Sequence, residues 1–375
     1  MVGERKVVTI TGPKMVELRA APSASELQPG QALVRVSAVG VCATDVELYD
    51  GTMGYYHSGL ASFPLVPGHE WAGEILALGP GALDPRLRVG QRVVGEHCTG
   101  CEPAPRCNVC QRRGGLLRCP RRKETGFFGR DGAFQTELVF PAAQLHALPK
   151  QVTDLEAVLA EPLCTALKAV RLADVDSAPK TSAGPRVAVV GDGAVGLLLL
   201  QALRWRHSAR VLLLGARKQR LQRARELGAE ACFDVAEPGL PGALEEHEEL
   251  PSVVLEELHP QAAGTPEAVR LALRCCAAGG TVVLLGLSGN KPAELCPDDV
   301  VLRQIVVKGS LSSEPEDWAQ AAEMLAQGAL QSVVTHVFEG LDKYQEAIEK
   351  VRSPPDDMIK AVVKPWPESR KRSRE

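Results

Sequence analysis

The run VAVVGDGAVGLLLLQAL, residues 187–203, constrains this chain more than any other. A short apolar strand ends in a glycine turn that opens into a leucine-rich stretch of helical period. Gly191, Gly193 and Gly196 keep the G-x-G-x-x-G spacing, with Ala194 and Val195 inside it. The first glycine permits the tight turn, the second lets backbone approach a pyrophosphate, and the third allows close helix packing. N–H groups at the helix start then face the anion. A glycine-rich turn that binds nothing is the bland alternative, and the strand before and helix after argue against it.

The end of the next strand selects the cofactor. NAD sites usually carry Asp or Glu there, about 20 residues beyond the fingerprint, to accept from the ribose 2′-OH. Here the strand ends VLLLGARKQR, giving Gly215, Ala216, Arg217 and Lys218. Gly215 leaves room for a 2′-phosphate and Arg217 offers it a planar fork of donors, so NADP is expected, with NAD as the alternative. Arg217 and Lys218 are otherwise solvated charges at a helix start.

Short apolar strands at 186–190, 210–214, 253–255, 281–285 and 305–308 alternate with helical periods at 193–205 and 218–227, which predicts a parallel doubly wound sheet. The first 150 residues differ: β-type runs at 32–39, 73–78, 92–94 and 134–140, broken by Gly and Pro, read as a loop-rich β domain. From Ser313 the pattern is helix 316–326, strand 333–337, helix 344–351 and strand 359–363. Around the strand at 253–255, the segment 237–266 is irregular, with two acidic clusters and five prolines. A length of 375 residues favours about two domains.

A net charge of −3 is too small to act as a field for nucleic acid or an anionic membrane. Arg370, Lys371, Arg372 and Arg374 read as a frayed tail rather than a localisation signal. No secretory signal opens the chain and no apolar run reaches the ~20 residues of a membrane span, so a cytoplasmic protein is expected.

Five of the eleven cysteines crowd between Cys98 and Cys119. Without an export signal, such crowding argues for metal rather than disulfides. Separately, GVCATD carries Cys42, PGHE carries His69 beside Glu70, and AEPL carries Glu161. Cys, His and carboxylate are the ligand types of a zinc that keeps one position open. Singly each has a packing, surface or capping explanation; together they read as a metal centre.

These motifs, with GRDGAFQTELVFPAAQLHALP and the C-terminal THVFEGLDKYQEAIEK and IKAVV, make the chain resemble the zinc-containing medium-chain dehydrogenases, among them alcohol, sorbitol, threonine, glucose and aminocyclitol dehydrogenases. The resemblance implies an α/β chain: a GroES-like, β-rich catalytic domain from residues 1–162 and 313–375, with a Rossmann domain inserted at 163–312. It implies zinc on Cys42, His69 and Glu161, with Glu70 the carboxylate that ligates in some members. Glutamate at 161, where alcohol dehydrogenases have cysteine, points to polyols, sugars and cyclitols. Thr44 matches the proton-relaying hydroxyl, Thr165 a residue lining the nicotinamide, and Lys360 a base near the pyrophosphate. The family's relay histidine is replaced by Glu47.

The cysteine cluster resembles the family's structural zinc lobe, C-x2-C-x2-C-x7-C, with altered gaps. Cys101, Cys107, Cys110 and Cys119 fit best, and Cys98 is an alternative to Cys101. The implied reaction moves hydride between a hydroxyl carbon and NADP(H), the zinc lowering the pKa of the hydroxyl. The segment 49–64, with Tyr55, Tyr56 and His57, is either a pocket wall or a surface loop. A homodimer or homotetramer is expected. The rivals are a zinc-free quinone or enoyl reductase of the same fold, and a non-catalytic NADPH-binding protein.

Overall fold

The computed structural model describes residues 5–24, 26–82, 84–101, 107–112, 114–177, 184–237, 250–257, 266–287 and 292–366. The chain divides into two compact units: Met1–Glu161 with Ser312–Glu375, and Pro162–Leu311.

The first unit begins with an antiparallel hairpin, β1 (Arg5–Gly12) and β2 (Met15–Ala21). Strand β3 (Gln31–Val41) follows, then helices α1 (Ala43–Asp50) and α2 (Gly54–His57) and strands β4 (Glu70–Leu78) and β5 (Arg92–Gly95). A small sheet holds β6 (Cys98–Thr99), β7 (Lys123–Thr125) and β8 (Gly129–Arg130). Strands β9 (Glu137–Pro141) and β10 (Leu145–Ala147) precede α3 (Asp154–Ala157) and α4 (Ala160–Ala173), whose first turn closes this part of the unit.

The inserted unit holds β11 (Arg186–Val190), α5 (Ala194–His207), β12 (Arg210–Gly215), α6 (Lys218–Glu226), β13 (Ala231–Asp234), β14 (Val253–Glu256), α7 (Pro266–Cys275), β15 (Thr281–Leu284), α8 (Pro297–Val301) and β16 (Val306–Gly309). Among the described residues its sheet is wholly parallel, in the order β13-β12-β11-β14-β15-β16. Every residue of β11 is buried, as expected of a strand covered on both faces. The core adds Leu212, Leu214, Val254 and Val282 from its neighbours.

The tail returns to the first unit with α9 (Pro315–Ala326), β17 (Val334–Glu339), α10 (Tyr344–Arg352) and β18 (Lys360–Lys364). Strand order there is β10-β5-β4-β3-β18-β17, with β9 also paired to β3. One side of β3 carries β4; the other is shared by β9 along Gln31–Arg35 and β18 along Val39–Val41. Alternate residues Ala32, Val34, Val36 and Ala38 of β3 are fully buried, the period-2 pattern of a sheet with one packed face. Val46 and Leu48 of α1 and Tyr344 and Ile348 of α10 join that core.

One expectation changes. The run 134–140 is strand only from Glu137, because the backbone N–H groups of Ala133 and Phe134 are taken by Gly68 O and Pro67 O at 2.8 and 3.0 Å. The strand expected at 253–255 is present as β14, inside the otherwise irregular run 237–266; residues 238–249 and 258–265 lie outside the described residues, as does the basic tail 370–374. Among the described residues no helix is long and apolar enough to cross a membrane.

Candidate functional site

Strand β3 runs directly into α1, and the turn between them sets Cys42 at the helix N-cap. Asp45, fully buried, uses one carboxylate oxygen to accept from Cys42 N at 2.8 Å, a helix-capping arrangement. Its other oxygen lies 3.6 Å from Nδ1 of His69, which ends the loop before β4. A single carboxylate thus caps the cysteine's backbone and faces the histidine's ring, the kind of neighbour that orients a histidine holding a metal. Burial drives His69 toward its neutral form, but the Asp45 carboxylate, with Cys42 nearby, raises its pKa well above the ordinary value.

The donor atoms of Cys42, His69 and Glu70 lie within 4.8 Å of one another. Two buried atoms there, His69 Nδ1 and Asp45 Oδ1, have no partner within hydrogen-bond distance. The thiol, imidazole and carboxylate are donors suited to zinc, so the residues present fit the ion. Glu70 also forms a buried ion pair with Lys360 of β18. Gly40 makes that possible, since a Cβ there would collide with the Glu70 carboxylate. Thr44 Oγ1 is 3.7 Å from Cys42 Sγ. Glu47 stands half-buried on the same helix, its pKa raised by burial.

Glu161 is buried at the start of α4, and its Oε1 lies 3.7 Å from Nδ1 of His97 rather than within the Cys42–His69–Glu70 group. Burial pushes its carboxyl up to about 7, with His69 opposing and Glu70 adding to the shift. His97 belongs to no motif that the sequence singles out. It is buried and held below its ordinary pKa by that burial; its ring and that of His69 both pack edge-on to Phe127, each with centroids 4.7 Å away. Cys98, Ser312 and Glu124 surround it, Cys98 Sγ lying 3.6 Å from His97 Nδ1 and 3.3 Å from Ser312 Oγ. Tyr55 of α2 reaches Glu124 at 3.3 Å, whereas Tyr56 donates to Leu48 O and stacks on Phe63, and His57 is exposed. One residue of that segment therefore joins the polar cluster, and two do not.

Cys101, Cys107, Cys110 and Cys119 bring four sulfurs within 4.8 Å of one another. Cys98 is turned away toward His97, so Cys101 completes the group. Backbone N–H of Cys110, then the Cys101 thiol, lower the Cys107 pKa to about 6, favouring the thiolate that binds zinc. Among the described residues no disulfide links the cysteines.

In the second unit Gly191 adopts φ +140°, and a Cβ at Gly196 would collide with Gly191 O. The cradle therefore admits only glycine at these positions and fits a dinucleotide phosphate at the start of α5. Gly215 ends β12, Arg217 caps α6 half-buried, Lys218 is exposed and Thr165 sits half-buried on α4. The strand end is not free of acid. Asp192, inside the fingerprint, accepts from Ala216 N and Arg217 N at 2.9 and 2.8 Å, with Arg220 Nη1 at 3.7 Å.

A parallel sheet with a glycine cradle, joined in sequence to a β unit bearing a thiolate–imidazole–carboxylate group and a four-thiol lobe, defines an oxidoreductase of the zinc-binding alcohol or polyol dehydrogenase class. The chain belongs to the zinc-containing medium-chain dehydrogenase/reductase family: the alcohol dehydrogenase GroES-like domain matches residues 28–150 and the zinc-binding dehydrogenase domain residues 194–327. It is 28% identical to a sorbitol dehydrogenase of Halalkalibacterium halodurans, over 91% of this chain and 94% of that protein. It is 27% identical to a D-arabitol-phosphate dehydrogenase of Enterococcus avium, over 92% and 93%. A zinc-binding dehydrogenase of Sinorhizobium meliloti, crystallised with NADP, superposes with a TM-score of 0.82 at 27% identity, covering 97% of this chain and 100% of that one.

Proposed function

We propose that the chain interconverts a hydroxyl and a carbonyl carbon of a polyol, sugar, cyclitol or simple alcohol, with NADP(H) as hydride partner and zinc held by Cys42, His69 and a carboxylate. The observation that carries this reading is the convergence of Cys42, His69 and Glu70 donors within 4.8 Å in a buried, polar surround. Zinc bound there would act as the Lewis acid that makes a hydroxyl acidic. Asp45 holds His69 in orientation. Thr44, beside Cys42, takes the hydroxyl proton, and Glu47 on the next helical turn passes it outward in place of the family's histidine. His97 gives the buried Glu161 a polar neighbour. Lys360 balances the charge of Glu70.

Two zinc ions per chain are expected, one at Cys42 and one at the four-thiol lobe. Metal analysis of chelator-free protein should return about two, falling to about one in Cys42→Ser with loss of turnover across polyols, sugars, aminocyclitols and alcohols. Less than one zinc in the wild type would favour the zinc-free reductase. Full zinc and NADPH binding without turnover on any of these substrates would favour the non-catalytic binder.

The NADP preference rests on Gly215 and Arg217. Hydrogen bonds to charged groups contribute roughly 1.5–3 kcal/mol, so Arg217→Ala should weaken NADPH about ten- to a hundredfold while leaving NADH nearly unchanged. Asp192 favours a second reading, NAD, because its carboxylate stands beside the strand end where a 2′-phosphate would be repelled. Gly215→Asp does not separate the two, since its Cβ would lie 2.5 Å from that of Asp192. A direct ratio of NADPH to NADH dissociation constants does.

Assembly of copies through the second unit is part of the proposal. Its outermost strand β16 and neighbouring α8 expose Val301, Leu302, Val306 and Val307. The same reading places the protein in the cytoplasm.

A further inference from the structure

Glu257, an acid of the second unit, plays no part in the proposed chemistry, yet it stands at the dinucleotide fingerprint. It immediately follows β14, its backbone N–H bonded to Val190 O at 2.9 Å, and its half-buried side chain lies across the glycine turn. Oε2 accepts from Gly196 N at 3.2 Å. Positions for a Cβ at Gly191, Gly193 and Gly196 fall 3.1, 3.4 and 3.5 Å from the same oxygen. A carboxyl group of the chain itself therefore rests in the cradle that the three glycines keep clear of side chains. An incoming pyrophosphate would meet an acid there, beside the N–H groups and positive helix end that suit an anion.

We propose that Glu257 is an internal occupant of the phosphate cradle, and that dinucleotide binding to this chain takes up a proton there. The inference rests on the dinucleotide reading of the fingerprint. Its physical basis is like-charge exclusion: a carboxylate and a pyrophosphate cannot share a small enclosed site with both fully charged, and the weaker acid is the one that protonates.

The groups facing Glu257 point the same way. Glu256 of β14 and Asp192 of the β11–α5 turn are buried acids, Arg220 of α6 is the opposing cation, and the first turn of α5 brings no acidic residue. Burial first, then Glu256, push the Glu257 carboxyl up to about 8, with Gly196 N–H and Arg220 opposing. The free protein would hold the proton at neutral pH and lose it in mild alkali. Since binding favours the protonated form, affinity must fall as pH rises through that region.

The full chain should be titrated with NADPH and with NADH by calorimetry at about pH 7 and about pH 9, in buffers of different ionisation heat. Affinity should drop about tenfold between the two, following the protonated fraction of a group titrating near 8, with net proton uptake at the higher pH. Glu257→Gln, which keeps the shape and cannot ionise, should bind equally at both pH values and show no such uptake. Proton release in the wild type would mean that the carboxylate is expelled to solvent, overturning the inference. A pH dependence shared by wild type and Glu257→Gln would overturn it too. Failure of both proteins to bind either dinucleotide at either pH would instead remove the dinucleotide reading beneath it.

Discussion

Asp45 illustrates how much a single buried carboxylate does in this centre: it caps α1 through Cys42 N and faces His69 through its other oxygen. The motif GVCATD contains it, yet the motif points only to the cysteine and threonine, because capping and ligand orientation leave no spacing rule of their own. The sequence singles out Glu161 through AEPL, whereas its neighbour His97 belongs to no motif. The fold brings it to Glu161 from the loop between β5 and β6, a tertiary contact that no local pattern encodes. Glu161→Ala should lower turnover about 10- to 100-fold while changing NADPH affinity little, the loss expected when a residue supporting a metal site is removed. Wild-type turnover in that variant, measured beside an unchanged dissociation constant, would reduce Glu161 to a helix-start residue.

At the level of elements, periodicity serves well where the covering is regular. The parallel strands and the helices α5 and α6 follow from apolar runs separated by helical periods, and the inner strands β11 and β12 are buried almost throughout. It serves poorly where side chains or turns decide. Helix α1 is short and mixed, and depends on Asp45 for its start, while β6, β7 and β8 are two or three residues each. The choice between Cys98 and Cys101 stays open in sequence because the two are only three positions apart ahead of the same loop; geometry gives it to Cys101. A closed four-thiolate zinc contributes folding energy. Cys110→Ser should therefore remove about one zinc per chain and lower the melting temperature, whereas unchanged zinc content and melting would show that the lobe holds no metal.

For the whole molecule, β16 is an end strand of the inserted sheet with Val306 47% and Val307 45% exposed. Unprotected apolar edges of this kind pair readily with another copy. The double substitution Val306→Lys, Val307→Lys should shift the protein to monomer in sedimentation while preserving NADPH binding; an unaltered oligomer would place the contact elsewhere.

The return of the tail to the first unit also sets an order of events during synthesis. Strand β18 pairs with Val39–Val41 of β3, and its Lys360 meets Glu70, yet these partners lie near opposite ends of the chain. On a ribosome adding about 5–20 residues per second, β3 waits roughly 20 to 60 s for its neighbour. Throughout that interval the nascent first unit has an open strand edge and an acid without its cation, while the uninterrupted second unit can already close. The unit that carries Cys42, His69 and Glu70 is thus the last to become whole, and the most dependent on protection before it does.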